Sequence, residues 1–362
     1  MQSQCNLSAA SNFDLTAWVQ DNDRPGCVVA VLSGGLVASW AARGFARATA
    51  GGHTLTPETV FYVASLSKQF TAACLACLQA DGLIDVAASI RNFLPELPPA
   101  FDTVTLGHLL HHTSGVPDAD PLATIRGLGS DWWNGRGLWD QIDVLTDAKT
   151  LLSVPGDRYR YSNEGYWLLA GAIERVGAES LAAFAAKRLF QPLGMYNSHF
   201  RDDPDTPQPG LALGHSVGAG SIRPVVTRYH GVGDGGLLTT LEDLARWDLF
   251  LSGRSALNSD LPARLRVQGR RNDGALLHYA WGVSVRSHRG AKIISHGGNY
   301  IGYVAKLVRF PAYDFSVACL ANADDIDVDG LSMATADAVL GDLADLSQPS
   351  WTGTIRDDGL AR

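Results

Sequence analysis

Apolar residues along this chain recur with two different periods, which indicate where strands and helices lie. Apolar runs on both sides of Ser33-Gly34-Gly35 predict a β-hairpin over residues 28–40. Helical spacing predicts a short helix over 12–22 and a longer one over 65–80, which Asp81-Gly82 ends. Further helices are predicted near 104–112, 140–152, 163–176, 179–190 and 241–251.

The C-terminal third changes from helical to strand patterns. Strands are predicted over 279–286, 291–295, 302–310 and 315–321, before a final helix over 329–345. Because strands lie near both ends of the chain, we expect one sheet built from both ends, with a helical lobe between them. The predicted class is α/β: an antiparallel sheet flanked by helices, plus an all-helical lobe inserted in the middle of the chain. The predicted domains are an α/β sandwich over 1–82 and 205–346, the helical lobe over 83–204, and a polar tail over 347–362.

The composition argues against two classes of binding partner. A formal net charge of −8 without a long basic run argues against nucleic acid and against an anionic membrane surface. No stretch reaches the roughly twenty apolar residues of a transmembrane helix. The first residues lack the pattern of a secretory signal, and the five cysteines are an odd number, so we expect a cytoplasmic protein with reduced thiols. Cys74 and Cys77 have redox or metal spacing but lie in an apolar helical stretch, which favours two buried helix cysteines.

Ser65 and Lys68 form the most informative pair in the sequence. They are three residues apart where a helix is predicted, so their side chains lie on the same side, one turn apart. A lysine that is desolvated enough to be neutral can take the serine proton and make the serine a nucleophile. The pair therefore predicts acyl transfer through a covalent intermediate.

Two further motifs could complete such a site. In Tyr161-Ser162-Asn163, a phenol near a charged Lys68 is expected to have a lowered pKa and to relay protons; the alternative is an exposed turn. His296-Gly297-Gly298 follows a predicted strand, where glycines allow a substrate backbone to lie close. The amides of Asn299 and Ser65 could then face an oxyanion. The alternative is a glycine-rich turn carrying a surface histidine.

Together and in this order, the three motifs resemble those of the serine β-lactamase and penicillin-binding-protein type of hydrolase. The similarity extends over roughly residues 15–345 and is greatest to class C β-lactamases, D-aminopeptidases and β-lactamase-like esterases. The resemblance implies a β-lactamase-like fold, no cofactor and no metal. It also implies roles for individual residues: Ser65 as nucleophile, Lys68 and Tyr161 as the proton-transfer pair, and Asn163, His296, Gly297, Gly298 and Asn299 as substrate-binding residues.

The third motif departs from the pattern of the penicillin-recognising members. They usually carry Lys-Thr-Gly, whereas this chain has His296 and Gly297 in the first two positions. The fixed cation and the hydroxyl that would hold a β-lactam carboxylate are absent, and histidine is often neutral near pH 7. We therefore expect a serine hydrolase acting on small esters or on D-amino-acid amides and peptides. The alternatives are an acyltransferase, a true β-lactamase, and a penicillin-binding sensor without turnover; the sequence leaves the oligomeric state open.

Three other patterns in the sequence suggest competing sites. Gly214-His215-Ser216-Val217-Gly218 matches a nucleophile elbow, but no helix can start directly after Ser216, which favours a loop. His108 and His112 have zinc-like spacing without a following glutamate, so a capping or hydrogen-bonding role is favoured. The aromatic residues of the middle region could line an acyl pocket or form lobe core: Trp132, Trp133, Trp139, Tyr166 and Trp167.

Overall fold

The computed structural model describes residues 7–19, 24–47, 53–203, 205–218, 220–226, 228–257 and 260–341. Its strands are β1 (Cys27–Ser33), β2 (Leu36–Arg43), β3 (Phe61–Tyr62), β4 (His199–Phe200), β5 (Gly214–Gly218), β6 (Ser221–Val225), β7 (Leu237–Thr239), β8 (Ser284–His288), β9 (Ala291–Tyr300), β10 (Tyr303–Phe310) and β11 (Phe315–Ala321). Its α-helices are α1 (Lys68–Ala80), α2 (Leu106–Leu110), α3 (Ala119–Ile125), α4 (Leu138–Leu145), α5 (Asn163–Gly177), α6 (Leu181–Ala185), α7 (Gln191–Leu193), α8 (Leu241–Leu251), α9 (Leu261–Leu265) and α10 (Val328–Leu340).

Six antiparallel strands form the main sheet, in the order β2-β1-β11-β10-β9-β8. Strand β1 from the start of the chain thus pairs with β11 from its end, which confirms a sheet assembled from both ends. Two smaller groups accompany it, a three-stranded sheet β3-β7-β4 and the hairpin β5-β6.

The continuous apolar run of β1 follows from burial on both faces of the sheet. Val28, Ala30 and Leu32 belong to one hydrophobic cluster, and Cys27, Val29 and Val31 to another on the opposite face. Helix α8 covers the first face, and α10 with the N-terminal turns covers the second. The expected antiparallel sheet flanked by helices is therefore confirmed.

Helices α2 to α7 follow one another between β3 and β4, and α5 packs against α1, α2, α4 and α6. The same hydrophobic cluster that covers one face of the sheet continues through these helices. The helical character of the middle of the chain agrees with the sequence pattern. The division into two domains, with boundaries near residues 82 and 205, stays a prediction.

Several predicted elements differ from the structure. Residues 9–12 and 15–17 form short 3-10 turns where a helix over 12–22 was expected. The helix at the serine begins as a 3-10 turn over Ala64–Ser67 before α1. The helix expected over 140–152 ends at Leu145, and α3 was not predicted. Strand β8 begins only at Ser284. The polar tail and the last residues of the final predicted helix lie outside the described residues.

Candidate active site

Ser65 lies in a tight 3-10 turn between β3 and α1. The preceding residue, Ala64, has φ +47°, a left-handed conformation that is unfavourable for a residue with a Cβ. Ser67 fixes the turn, because its hydroxyl donates to the Ala64 carbonyl at 2.5 Å and accepts from the Leu237 amide at 3.1 Å. The turn leaves Ser65 half-buried beside the buried Lys68.

The ammonium of Lys68 contacts three oxygens. Its Nζ lies 3.1 Å from Ser65 Oγ, 2.8 Å from Asn163 Oδ1 and 2.8 Å from the carbonyl oxygen of Asp234. Burial lowers the Lys68 pKa to about 8, although the Asp234 and Glu164 carboxylates act in the opposite direction. A lysine with this pKa is neutral in an appreciable fraction of molecules near pH 7, so it can accept the serine proton.

Tyr161, Ser162 and Asn163 lie at the start of α5. The Ser162 hydroxyl caps this helix by accepting from the Gly165 amide at 3.1 Å, and Asn163 is its first residue. The Tyr161 ring centroid is 4.8 Å from Lys68 Nζ, and the phenol lies near enough to Ser65 for the serine to lower the phenol pKa. Burial raises the Tyr161 pKa and outweighs this effect of Ser65. The expectation of a lowered tyrosine pKa is therefore wrong, because desolvation dominates; the phenol is protonated at neutral pH.

His296 carries no charge in this structure. Its Nδ1 lies 2.5 Å from the Gly297 carbonyl oxygen, which can only accept, so Nδ1 holds the proton and Nε2 accepts from the Tyr279 hydroxyl at 3.0 Å. Burial, followed by the charge of Lys68, lowers the His296 pKa to about 3. Both ring nitrogens are thus occupied, and the position offers no cation.

Gly297, Gly298 and Asn299 continue strand β9, so the alternative of a glycine-rich turn is excluded. A Cβ on Gly298 would lie 2.1 Å from the Val63 carbonyl oxygen and 3.1 Å from the Ser65 amide nitrogen, so only glycine permits this close approach. Strand β8 pairs with β9 only from Ala291 to Ser295. The segment 296–300 therefore passes the serine turn without β8 beside it, with the Asn299 amide directly after the contact.

Two further side chains belong to this site: Asp234, and His112, for which the sequence suggested only zinc-like spacing with His108 or a capping or hydrogen-bonding role. His112 has φ +57°, is 1% exposed, and has its ring centroid 4.3 Å from that of Tyr161. Its Nδ1 accepts from the Ser162 amide at 3.2 Å. Asp234 is buried and its carboxylate accepts from the Tyr229 hydroxyl at 2.8 Å. Both are brought to the site by contacts between distant segments, which no local pattern signals.

The competing sites have structural explanations. His108 forms a capping box with Thr105 at the start of α2, which confirms the capping interpretation. Ser216 is exposed in the β5-β6 hairpin; the segment is a strand, where a loop was expected, and no helix follows it directly. Cys74 and Cys77 are buried free thiols in α1, as predicted.

Over the part of the chain that is described, no cluster of His, Cys, Asp and Glu side chains suits a metal ion. Within the same residues, no helix is long and apolar enough to span a bilayer.

The aromatic residues of the middle region divide between core and site. Trp132 and Trp167 are buried with ring centroids 6.4 Å apart, whereas Trp139 donates to Glu174 at the surface. Trp133 is half-buried and packs against Tyr229 and Tyr300, at centroid distances of 6.3 and 6.2 Å. Among these four indoles, Trp133 is therefore the one with a described ring contact to β9, through Tyr300.

Known proteins are similar to this chain over most of its length. A protein-family model described as Beta-lactamase matches residues 15–342. A D-aminopeptidase of Brucella anthropi is 31% identical over 83% of this chain and 56% of its own length, and one of Brucella canis is 31% identical over 78% and 54%. The chain thus spans about half the length of these curated relatives.

Solved structures share the fold. An octameric penicillin-binding protein homologue from Pyrococcus abyssi has a TM-score of 0.79 and 25% identity, with 90% of this chain and 76% of that chain covered. A penicillin-binding protein from Bacillus halodurans has a TM-score of 0.75 and 26% identity, covering 90% and 99%. A D-amino acid amidase from Ochrobactrum anthropi, 18% identical with a TM-score of 0.73 over 92% and 97%, shares the fold. The family match, the relatives and the fold agree: this chain belongs to the beta-lactamase family.

Proposed function

We propose that this chain hydrolyses small esters, or D-amino-acid amides and peptides, through an acyl-enzyme on Ser65. The observation that carries this proposal is the contact of 3.1 Å between Lys68 Nζ and Ser65 Oγ, together with a Lys68 pKa of about 8. A nucleophile beside a base of this pKa is the arrangement that acyl transfer requires.

In the proposed mechanism, neutral Lys68 takes the proton of Ser65 as its oxygen attacks the carbonyl carbon. Tyr161, a protonated phenol beside Lys68, gives its proton to the leaving group and takes one back from the Lys68 ammonium, which makes Lys68 neutral again. The amides of Ser65 and Asn299 donate to the oxyanion, which the close passage of β9 past the serine turn supports. Asn163 holds the Lys68 ammonium in place. Water then attacks the acyl-enzyme, neutral Lys68 takes the proton of the water, and this proton returns to the Ser65 oxygen as the acid is released.

The absence of a cation at His296 supports this proposed substrate class. A neutral imidazole with both nitrogens occupied gives no charge partner for a substrate carboxylate. Substrates without that carboxylate, such as esters and amides, therefore fit this edge of β9 better than β-lactams. The D-aminopeptidase relatives support the amide half of the proposal.

A fluorophosphonate probe tests the nucleophile directly. We expect wild type and Ser216→Ala to be labelled and Ser65→Ala to remain unlabelled in intact mass spectra. Ser216 is the matched control because it is an exposed serine in the competing motif. A panel of p-nitrophenyl esters and of D- and L-aminoacyl anilides then defines the acyl group. Labelling of Ser65→Ala to the wild-type extent would overturn the proposal.

A further inference from the structure

Asp234 places a carboxylate beside the proposed catalytic lysine. Its carbonyl oxygen accepts from Lys68 Nζ at 2.8 Å, its carboxylate accepts from the Tyr229 hydroxyl at 2.8 Å, and the residue is 8% exposed. The charge of Asp234 raises the pKa of Lys68. The backbone of Asp234 therefore contacts the proposed base, and its carboxylate acts on the charge of that base.

No lysine or arginine side chain within the described ranges forms an ion pair with the Asp234 carboxylate. While Lys68 is protonated, its ammonium offsets this negative charge. Once Lys68 is neutral, as a base must be, the buried carboxylate has only the Tyr229 hydroxyl as a partner. A buried charge without a counter-charge is unfavourable.

Glu164 provides a contrast at a similar depth. Its two carboxylate oxygens accept from the Ala119 amide at 3.0 Å and from the Ser162 hydroxyl at 2.9 Å. Burial raises the Glu164 pKa, which favours its neutral form. The hydrogen bonds of the Glu164 carboxylate thus explain its burial at the start of α5. The Asp234 carboxylate has no comparable explanation.

An aromatic wall extends from Asp234 to the solvent. The wall consists of Trp133, Tyr229 and Tyr300, and the Tyr229 and Tyr300 ring centroids are 5.4 Å apart. Tyr229 is buried against the carboxylate, whereas Trp133 and Tyr300 are half-buried. Tyr300 also directly follows Asn299 in β9. Aromatic faces combined with one carboxylate are chemistry that favours an organic cation such as an ammonium.

We propose that Asp234 and the aromatic wall bind an ammonium group on the acyl part of the substrate, next to the scissile carbonyl. This inference rests on the proposed function and narrows it: aminoacyl amides and esters are preferred over the same acyl groups without the amine. The bound ammonium also offsets the Asp234 charge that holds Lys68 in its protonated form. Substrate binding therefore favours the neutral lysine that takes the Ser65 proton.

The experiment compares two substrates that differ only in the amine, D-alanine p-nitroanilide and propanoic acid p-nitroanilide. We expect Asp234→Asn to lower the ratio of their kcat/KM values by about tenfold or more, since a charge-assisted contact is lost. Glu164→Gln, which removes a carboxylate at similar depth, is expected to keep the wild-type ratio. An unchanged ratio in Asp234→Asn, or a wild type that does not prefer the amine, would overturn the inference.

A second readout separates binding from a purely structural role. Because the Asp234 charge raises the Lys68 pKa, its removal should move the acid limb of the kcat/KM profile for the propanoyl substrate to lower pH. If circular dichroism shows Asp234→Asn to be unfolded, Trp133→Leu tests the half-buried wall, with an expected loss of about threefold in the ratio. An unchanged ratio in that variant also counts against the inference. Failure of fluorophosphonate to label wild type would instead contradict the proposed function itself.

Discussion

At the scale of single residues, the charge state of Lys68 governs the chemistry that this site can perform. Burial lowers its pKa to about 8, below the usual lysine value of 10.5. Lys68 therefore gains its neutral, proton-accepting form as the pH rises through about 8. For a neutral ester, we expect kcat/KM to increase with pH through this range, as measured by p-nitrophenyl acetate hydrolysis corrected for the spontaneous rate. A profile that stays flat from about pH 6 to 9 would contradict the assignment of Lys68 as base.

His112 holds Tyr161 in place through two different contacts. Its ring packs on the Tyr161 ring at 4.3 Å between centroids, and its Nδ1 accepts from the Ser162 amide at 3.2 Å. Burial lowers the His112 pKa well below the usual value, so the ring acts as a neutral support. A histidine in a left-handed conformation, at φ +57°, persists only where its surroundings fix it.

Two substitutions separate the contacts of His112. His112→Asn keeps an acceptor and loses the stacked ring, whereas His112→Phe keeps a ring and loses the acceptor. We expect each variant to lower kcat by roughly ten- to hundredfold, because Tyr161 moves by a fraction of an ångström to about 1 Å. The acid limb near pH 8 should stay in place, since it belongs to Lys68. Displacement of that limb in both variants would instead indicate that His112 titrates during the reaction.

At the scale of elements, the passage of β9 against the serine turn depends on one glycine. A Cβ at Gly298 would lie 2.1 Å from the Val63 carbonyl oxygen, so Gly298→Ala must push β9 away from Ser65. We expect fluorophosphonate labelling to slow by roughly a hundredfold, with the circular dichroism spectrum retained. The control is Gly137→Ala, because a Cβ at Gly137 meets nothing within 4 Å. Equal labelling rates for the two variants would argue against an oxyanion hole at this contact.

Residues 296–300 of β9 could not be predicted as a strand from the sequence. Helix α8 and the β1-β2 hairpin follow unambiguous local periods and agree with the predictions. The strand period is lost at His296-Gly297-Gly298, so β9 was expected to end at Ser295. Pairing with β10, which sets Gly297 opposite Lys306 and Gly298 opposite Ala305, extends the strand to Tyr300. The extension of β9 beyond Ser295 therefore depends on pairing with β10 and not on the local sequence of β9.

The three motifs could be recognised from the sequence alone, because their residue types are those that acyl-transfer chemistry requires. Asp234 could not, since its contact with Lys68 joins segments 166 residues apart. Burial of Tyr161 is likewise a result of packing, which explains why the direction of its pKa shift was wrong. The sequence thus identifies reactive groups, whereas the groups that tune them emerge only from the assembled fold.

At the scale of the whole molecule, a buried ion pair fastens α8 to the sheet. Arg309 of β10 pairs with Asp248 of α8, and Ser316 of β11 donates to the same carboxylate. Arg309→Met leaves the Asp248 carboxylate buried without its cation, which should lower the free energy of unfolding by about 3–5 kcal/mol. The control, Arg254→Met, removes a half-exposed ion pair with Asp314. This variant should change the free energy of unfolding by about 1 kcal/mol or less. Urea denaturation measures both values, and similar losses in the two variants would contradict a special role for the buried pair.

The pairing of β1 with β11 has a consequence for the order in which this protein matures. During synthesis, the strand over Cys27–Ser33 leaves the ribosome long before its neighbour over Phe315–Ala321 exists. The sheet therefore cannot close until nearly all of the described chain has been made, and such long-range pairing is slow to form. The contact between β9 and the serine turn also forms late, because Gly298 reaches the turn only when β9 is paired with β10. On the proposed mechanism, a nascent chain that carries Ser65 and Lys68 without β9 therefore still lacks part of its site.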